Sequence, residues 1–150
     1  MRVAEATVIR LIEAADAARW RKLFDGYIAF YEAVVSPHVV DRTWTRILNS
    51  EDGFVGLAAD DGGGHLIGFA HLLFHHSTWS ATGYCYLEDV FVDPAARGRG
   101  VGKALLEATL RLADERGCTR TYWTTQEGNA TARRLYDKFA KKSPFVQYRR

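Results

Sequence analysis

Residues 84–106 read YCYLEDVFVDPAARGRGVGKALL, and within them the hydrophobic pattern changes from one period to another. The first nine residues are apolar on both alternating faces, which is typical of a central β-strand covered on two sides. The last residues begin an apolar pattern of helical period, which predicts a helix from about Gly100 to Arg116, ended by Gly117. RGRGVG, residues 97–102, therefore stands where a buried strand passes into a helix.

Three kinds of anion-binding loop combine glycines with a following helix, and their spacing distinguishes them. A nucleotide P-loop has a glycine five positions before its last glycine and a Ser or Thr after its lysine. Those two positions hold Arg97 and Ala104 in this chain. A dinucleotide fingerprint needs a third glycine where this chain has Lys103. The remaining candidate is the pyrophosphate-binding loop of an enzyme that uses coenzyme A.

The RGRGVG loop has the features of such a pyrophosphate cradle. The first backbone N–H groups of a helix have no partner within the helix, and the helix dipole presents positive charge there. Glycines let the main chain approach the phosphate oxygens, and neighbouring cations add charge. The alternative is a glycine-rich turn whose arginines are only solvated. The candidate cradle residues are Arg97, Gly98, Arg99, Gly100, Val101, Gly102 and Lys103.

The rest of the chain surrounds this segment with further helices and strands. Periodicity and turn residues predict strands at 7–12, 54–60, 65–76, 119–125 and 145–149, and helices at 15–34, 36–48 and 129–142. Asp61-Gly62-Gly63-Gly64 is predicted as a hairpin turn. Early hairpins and late βαβ connections indicate an α+β fold with a mixed sheet, in one domain over residues 1–150.

Composition gives little reason to expect several classes of partner. The net charge is only +2, which gives no reason to expect nucleic acid or an anionic membrane. We find no apolar run of membrane-spanning length and no signal peptide pattern. Cys85 and Cys118 lack metal-ligand spacing, so we expect reduced thiols in a cytoplasmic protein. His71, His75 and His76 lack a carboxylate at useful spacing, so we expect no metal.

Two longer blocks resemble the GNAT superfamily of acetyl-CoA-dependent N-acetyltransferases: YLEDVFVDPAARGRGVGKALL (86–106) and YWTTQEGNATARRLYDK (122–138). They look most like the branch of spermidine/spermine and histone/polyamine acetyltransferases. The resemblance covers the order of elements from residue 7 to about 148. It implies a mixed, mostly antiparallel sheet of six to seven strands with helices on both faces. In that family the strand 84–92 splays from its neighbour.

The resemblance also implies an activity. Acetyl-CoA would be the co-substrate, and a primary amine of a polyamine-like small molecule would attack it directly in a ternary complex. Two alternatives remain open: acetylation of a protein lysine or an amino acid, and a non-catalytic module that binds acetyl-CoA.

Glu88 is the candidate base. Strict alternation places Glu88 and Asp89 on opposite faces of a buried strand, with Glu88 beside Tyr84, Tyr86 and Val90. A buried carboxylate needs a partner or a task. The resemblance puts the Glu of LED at the substrate amine, whereas Asp89 is interpreted as structural. The alternative for Glu88 is an ordinary pair with a core cation or hydroxyl.

The second block supplies candidates for binding the coenzyme arm and for protonating the leaving thiolate. Asn129 and Tyr136 are seven residues apart, so both face one side of a helix, with Ala132 between them leaving space. The resemblance makes Asn129 a ligand of the arm and Tyr136 the acid, whereas a core aromatic is the alternative for Tyr136. It also implies that main-chain groups of Val90, Phe91 and Val92 bind the acetyl and pantetheine groups.

Tyr31, Glu32 and Trp123 are candidates for contact with the acceptor. The first two match a Tyr-Glu pair near the end of the first helix in the polyamine branch, although an ordinary helix terminus explains them equally well. The chain departs from the family after its last helix, where FAKKSPF (139–145) replaces the common Gly-Phe. Little sequence remains for a seventh strand, so an exposed sheet edge and a homodimer are predicted.

Overall fold

The computed structural model describes residues 6–150, which form five strands and four α-helices. The strands are β1 Val8–Leu11, β2 Phe54–Asp60, β3 Leu66–Ser77, β4 Ser80–Val92 and β5 Arg120–Tyr122. The α-helices are α1 Ala17–Phe30, α2 Pro37–Asn49, α3 Val101–Glu115 and α4 Ala130–Tyr136, and short 3₁₀ turns cover Ala14–Asp16 and Pro94–Ala96. None of the helices within residues 6–150 is both long and apolar enough to cross a bilayer.

One sheet, in the order β1-β2-β3-β4-β5, holds all five strands. Neighbouring strands from β1 to β4 are antiparallel, and β5 runs parallel to β4. The parallel pair follows from the connection between them, because α3 carries the chain back to the starting end of the sheet. The predicted α+β class and mostly antiparallel sheet are confirmed.

Helices cover both faces of this sheet, as predicted. On one face, Trp20 and Phe24 of α1 and Ile47 of α2 form an apolar cluster with strand residues such as Phe69. On the other face, Leu105 and Leu106 of α3 pack in a second cluster against strand residues including Val55, Leu72 and Cys85. Both helix stripes repeat every three to four residues, so each helix can bury one side against the sheet.

The sheet has five strands rather than six or seven, because residues 145–149 form no strand in the described chain. Phe145 and Tyr148 are 88% and 93% exposed, so these side chains bury little surface against the rest of the described chain. The predicted strand 119–125 shortens to β5, and the predicted helix 129–142 ends at Tyr136. A pattern of apolar residues indicates a strand only when another strand supplies hydrogen bonds.

The first helix also ends earlier than its hydrophobic pattern indicates. It was predicted over residues 15–34, but α1 stops at Phe30, and Glu32 adopts a left-handed φ of 53°. Val34 is consequently 97% exposed instead of lying on the helix face. The second helix begins as predicted, since the Ser36 side chain accepts from the Val39 N–H and Pro37 occupies the first turn.

A β-bulge in β4 changes which side chains share a face. His71 of β3 pairs with Asp89, whereas the next residue, Leu72, pairs with Leu87, so Glu88 is the extra residue. Before the bulge, Leu87 packs on the α3 side. After it, Val90 packs there instead. The strict alternation that grouped Glu88 with Val90 is therefore wrong, because one inserted residue reverses the facing of every residue beyond it.

Candidate active site

A cleft opens where β4 and β5 separate. Their pairing is confined to Tyr84–Tyr86 with Arg120–Tyr122, and beyond this point β4 continues to Val92 with no partner on that side in the described chain. Main-chain groups of the later β4 residues are thereby left facing a cleft of about 650 Å³. Leu87, Glu88, Val90, Phe91 and Val92 all line it.

The glycine loop forms one end of this cleft. Gly98 and Gly100 have φ values of 81° and 76°, a conformation that favours glycine. Gly100 is also the residue before α3, and no side chain caps the helix there. The first backbone bond of α3 runs from the Ala104 N–H to the Gly100 carbonyl, so the preceding amides, of residues 101–103, lie ahead of the helical ladder.

Most of the predicted cradle residues reach the cleft. Its lining includes Arg97, Gly98, Gly100, Val101, Gly102 and Lys103. Arg99 is the exception: it is exposed and lies outside the lining. The Arg97 guanidinium lies 5.7 Å from the centre of the Phe91 ring, which keeps this cation beside the end of β4.

Asp93 braces the entry to the loop. Its carboxylate accepts from the Ala95 N–H at 3.0 Å and forms an ion pair with Arg19 of α1. Arg19 also donates to the Leu66 carbonyl at 2.9 Å, so α1, β3 and the loop are joined. The bond from Ala95 lowers the pKa of Asp93 below its ordinary value, and Arg19 lowers it further although partial burial opposes this.

The wall opposite the loop comes from α4 and the end of β5. Asn129 is the cap of α4, and its Oδ1 accepts from the Ala132 N–H at 3.2 Å. Asn129, Ala132 and Tyr136 all line the cleft, as does Trp123, whose ring lies edge-on to Tyr136 at 5.5 Å. Burial raises the pKa of the Tyr136 phenol, and neighbouring Tyr31 adds to the shift.

Glu88 faces the cleft together with aromatic side chains from the end of α1 and its C-cap, namely Tyr27, Phe30 and Tyr31. The Glu88 side chain is exposed to the cleft. The surrounding walls nevertheless remove part of its hydration, which raises its pKa, and the charge of Asp89 raises it further. Glu32, by contrast, is outside the cleft lining, and its left-handed φ of 53° turns the chain there after the end of α1.

The three histidines considered as metal ligands have different surroundings and do not form one group. His71 bonds to Asp89, His75 Nε2 lies 2.6 Å from the Tyr122 hydroxyl, and His76 is exposed. Within residues 6–150, no group of three or more His, Cys, Asp or Glu side chains is arranged to hold a metal ion. Asp89 has a buried partner, in keeping with the structural interpretation made from the sequence.

Comparison with known proteins then decides the family, since residues 20–140 match the acetyltransferase (GNAT) family. The chain belongs to the GNAT family of acetyltransferases. It is 37% identical over 149 residues to the D-amino-acid N-acetyltransferase HPA3 of Saccharomyces cerevisiae, covering 99% of this chain and 92% of the relative. The match to the spermine/spermidine N(1)-acetyltransferase of Bacillus subtilis, 35% identical, covers 51% of this chain and 52% of that enzyme.

Solved structures agree on the fold. The crystal structure of a probable acetyltransferase superposes with a TM-score of 0.82 and covers 95% of both chains at 24% identity. The GNAT enzymes use acetyl-CoA as their acetyl donor, and the residues of this cleft fit that molecule. The uncapped amides and cations of the loop suit a pyrophosphate, while the apolar surfaces of Val90, Val92 and Ala132 suit an extended pantetheine arm.

Several residues of the GNAT cleft were missed by sequence reasoning. They are Tyr27, Phe30, Leu87, Ala96, Thr124, Thr125, Thr131 and Leu135. Tyr27 lies one helical turn before Tyr31, so the same face of α1 carries both, and this spacing could have identified it. The threonines that follow β5 carry no such signal, because they reach the cleft only through the separation of two strands.

Proposed function

We propose that this protein transfers the acetyl group of acetyl-CoA to the primary amine of a small molecule by direct attack in a ternary complex. The observation that carries the proposal is that one cleft is lined by the uncapped start of α3, by Glu88 and by Tyr136. A module that only senses acetyl-CoA would need the glycine loop alone. The presence of both proton-transferring groups favours an enzyme.

Binding of the co-substrate is assigned to the loop and to α4. Arg97, Lys103 and the amides at the start of α3 would hold the pyrophosphate, and Asn129 and Ala132 would border the arm. Acetyl-CoA supplies a thioester whose carbonyl carbon accepts the amine. Main-chain N–H groups among residues 90–92 are the donors proposed for the carbonyl oxygen, since β4 has no second strand partner there.

Glu88 is proposed as the base. An aliphatic amine has a pKa near ~10.4, so almost all of it carries a proton at neutral pH and must lose that proton before attack. A carboxylate attracts the cation and can then accept its proton. The raised pKa of Glu88 brings its basicity closer to neutral pH, which makes it a better base than an ordinary Glu.

Tyr136 is proposed to protonate the departing thiolate. Burial raises its pKa, so the phenol keeps its proton at neutral pH and has it available to give. A Tyr136→Phe variant keeps the ring packed against Trp123 and removes only the hydroxyl. We expect turnover to fall by roughly 10²–10⁴ with little change in acetyl-CoA affinity. Exposed Tyr148→Phe is the matched control, and a normal rate in Tyr136→Phe would make Tyr136 a packing residue.

Two acceptor classes are distinguished by the charges of the cleft. Near Glu88 the cleft is lined by tyrosine hydroxyl groups. Among the described residues, the cationic side chains of the lining are Arg97 and Lys103, and both belong to the loop. This favours a polyamine-like acceptor without a carboxylate. The second candidate is a free amino acid, which is favoured by the near full-length match to a D-amino-acid N-acetyltransferase. Protein lysine is a third possibility for the same chemistry.

The deciding experiment is a thiol-release assay with acetyl-CoA over a panel of acceptors: spermidine, spermine, D- and L-amino acids, and a lysine-containing peptide. Acetyl transfer to any small amine, with calorimetric binding of acetyl-CoA, supports the proposal. Binding of acetyl-CoA without transfer to any member would support the sensor instead. The ratio of kcat/KM between spermidine and the amino acids separates the two acceptor classes.

We further propose that the chain is one acetyltransferase domain that acts in the cytoplasm as a homodimer. The two cysteines, Cys85 and Cys118, are free thiols, which suits a reducing compartment. The far edge of β5 has no strand partner among residues 6–150, and the nearby tail exposes Phe145, Val146 and Tyr148. Light scattering on the purified protein tests the dimer, and a concentration-independent monomer would contradict it.

A further inference from the structure

A buried chain of hydrogen bonds leads from the core to the strand that carries Glu88. The indole Nε1 of Trp20 lies 2.9 Å from His71 Nε2, and His71 Nδ1 lies 2.9 Å from Asp89 Oδ2. Trp20 and His71 are each only 1% exposed, among Phe24 and Phe69. None of these three polar groups takes part in the binding or proton-transfer roles proposed for the cleft.

The chemistry of the two bonds sets the direction of the chain. An indole N–H can only donate, so His71 Nε2 must accept. The single ring proton of a neutral imidazole then sits on Nδ1 and is donated to the Asp89 carboxylate. A second ring proton would point at the Trp20 N–H. Asp89 therefore accepts one hydrogen bond of fixed direction, from the Nδ1–H of His71.

The position of Asp89 in the sheet gives this chain its significance. Asp89 is the partner of His71 in the β3–β4 register, and the residue before it is the extra residue of the bulge, Glu88. A bulge leaves its extra residue without a ladder partner. The bond from His71 holds the residue on one side of the bulge, and the pair Leu72–Leu87 holds the other.

We propose that the Trp20–His71–Asp89 chain positions the Glu88 bulge so that the Glu88 carboxylate is presented to the acceptor end of the cleft. His71 is thus a positioning residue that acts through Asp89, and it touches no substrate. The inference rests on the function proposed above for Glu88. Its physical basis is that proton transfer depends on the placement of the base to within fractions of an ångström.

Four titratable groups that interact with Glu88 come from its own strand and from three neighbouring elements. They are Asp89 on its own strand, His71 on β3, Tyr27 on α1 and Tyr122 on β5. Tyr27 and Tyr122 belong to elements that do not pair with the bulge. His71 and Asp89 are the two that also lie in the β3–β4 register at the bulge, so a change at His71 moves Glu88 more directly than a change at either phenol.

The first experiment removes the chain and then restores part of it. His71→Phe keeps an aromatic ring in the core but deletes both bonds, whereas His71→Asn places an amide donor near the former Nδ1. We expect kcat to fall about 10–100-fold in His71→Phe, with the KM for acetyl-CoA within about twofold, and to recover to within about threefold of wild type in His71→Asn. His76→Phe, at an exposed position of the same strand outside the cleft, is the control.

Trp20→Phe covers the case in which His71→Phe does not fold, because it removes only the distant donor and keeps ring packing. We expect kcat to fall about threefold in that variant with an unchanged KM for acetyl-CoA. Wild-type turnover in folded His71→Phe or in Trp20→Phe overturns the positioning role. An equal loss in His71→Asn and His71→Phe also overturns it, because the restored donor would then have no value.

A double-variant cycle separates this inference from the function on which it rests. If His71 acts through Glu88, His71→Phe should slow the Glu88→Gln enzyme no further, so the double variant and Glu88→Gln have equal kcat. Losses that multiply would show that His71 acts elsewhere and overturn the inference while leaving Glu88 as the base. A fully active Glu88→Gln enzyme would instead contradict the proposed base, and the positioning role would fall with it.

Discussion

Two glycine-rich turns of this protein look alike in sequence and differ in how their backbone amides are satisfied. In the hairpin turn, residues 60–65, Asp60 Oδ1 accepts from the N–H groups of Gly62 and Gly64 at 2.8 Å each. Asp61 Oδ1 likewise accepts from Gly63 at 2.8 Å. In the loop of residues 97–103, no side chain caps the helix that follows.

The difference shows when a glycine turn is available to a ligand. In the hairpin turn, the carboxylates of Asp60 and Asp61 already accept hydrogen bonds from the glycine N–H groups, so no outside anion is needed. The loop before α3 offers the same kind of donor with cations instead of carboxylates beside it, so an anion must come from outside. Glycine count alone does not separate the two turns, whereas the charges between the glycines do.

The largest expected effect compares an aspartate placed in each turn. Gly100 and Gly64 both have positive φ, and a Cβ at either position meets open space, so the backbone cost of substitution is matched. Gly100→Asp should weaken acetyl-CoA binding at least about 100-fold, because juxtaposed like charges cost several kcal/mol. Gly64→Asp should leave the affinity unchanged. Calorimetry measures both.

Gly102→Asp tests the same effect of a negative charge on acetyl-CoA binding without backbone strain. Its φ is not positive, and a Cβ there would lie 3.8 Å from Val92. A loss of affinity in Gly102→Asp similar to that in Gly100→Asp attributes the effect to charge at the loop. Equal affinities in all three variants would remove the distinction between the two turns.

The next largest effect concerns the Asp60 carboxylate of the hairpin turn. Asp60 also accepts from Arg10 Nε at 3.0 Å, so its charge serves two amides and a guanidinium. Asp60→Asn should lower the free energy of unfolding by about 1.5–3 kcal/mol, since hydrogen bonds to charged groups have that value. Acetyl-CoA affinity should not change. Asp61→Asn, at a position without a guanidinium partner in the described chain, is the control and should lose less than half as much in a urea titration.

The pH dependence of stability tests the same carboxylate. Burial alone would raise the pKa of Asp60, but the amides of Gly64 and Gly62, together with Arg10, outweigh it and lower the pKa. A carboxyl whose pKa is lower in the folded state adds stability above its unfolded pKa of ~3.9 and loses it as the pH falls. Unfolding free energies between pH 6 and pH 3 should therefore decline less steeply in Asp60→Asn. Parallel profiles would contradict the assignment.

The smallest effect distinguishes the cations of the loop. Lys103 lines the cleft and Arg99 does not, although both flank Gly100 closely in sequence. Lys103→Met should weaken acetyl-CoA binding about threefold to tenfold, because an exposed charge contact has a value of about 1 kcal/mol. Arg99→Met should change the affinity less than twofold. Equal losses would mean that the loop attracts its ligand by general charge alone.

Much of the site was predictable because its signals are local. The uncapped start of α3 follows from the absence of a capping side chain before Val101 and from two glycines with left-handed φ. Ser36 as the N-cap and Pro37 in the first turn likewise predict the start of α2 from adjacent residues. Each of these features depends on residues within one turn of one another, so the sequence pattern and the structure describe the same interactions.

The errors arose where a distant segment decides the outcome. Residues 145–149 have a strand-like composition but no partner in the described chain, and α1 ends four residues before its apolar pattern ends. The grouping of Glu88 with Val90 failed because the register between β3 and β4 shifts by one residue at His71. No alternation within β4 alone can show a shift that is defined by the neighbouring strand.

The sequence by itself determined the family and the glycine loop, and it selected Glu88, Asn129 and Tyr136 as candidates, because those inferences depend on residue types at short spacing. Only the tertiary structure decided how they meet. The separation of β4 from β5 after Tyr86 opens the cleft, and the bulge leaves Glu88, which lines that cleft, without a partner on β3. The buried bond from His71 to Asp89 also joins residues eighteen positions apart. Such contacts depend on strand register and packing, which arise from the whole sheet and not from any one segment.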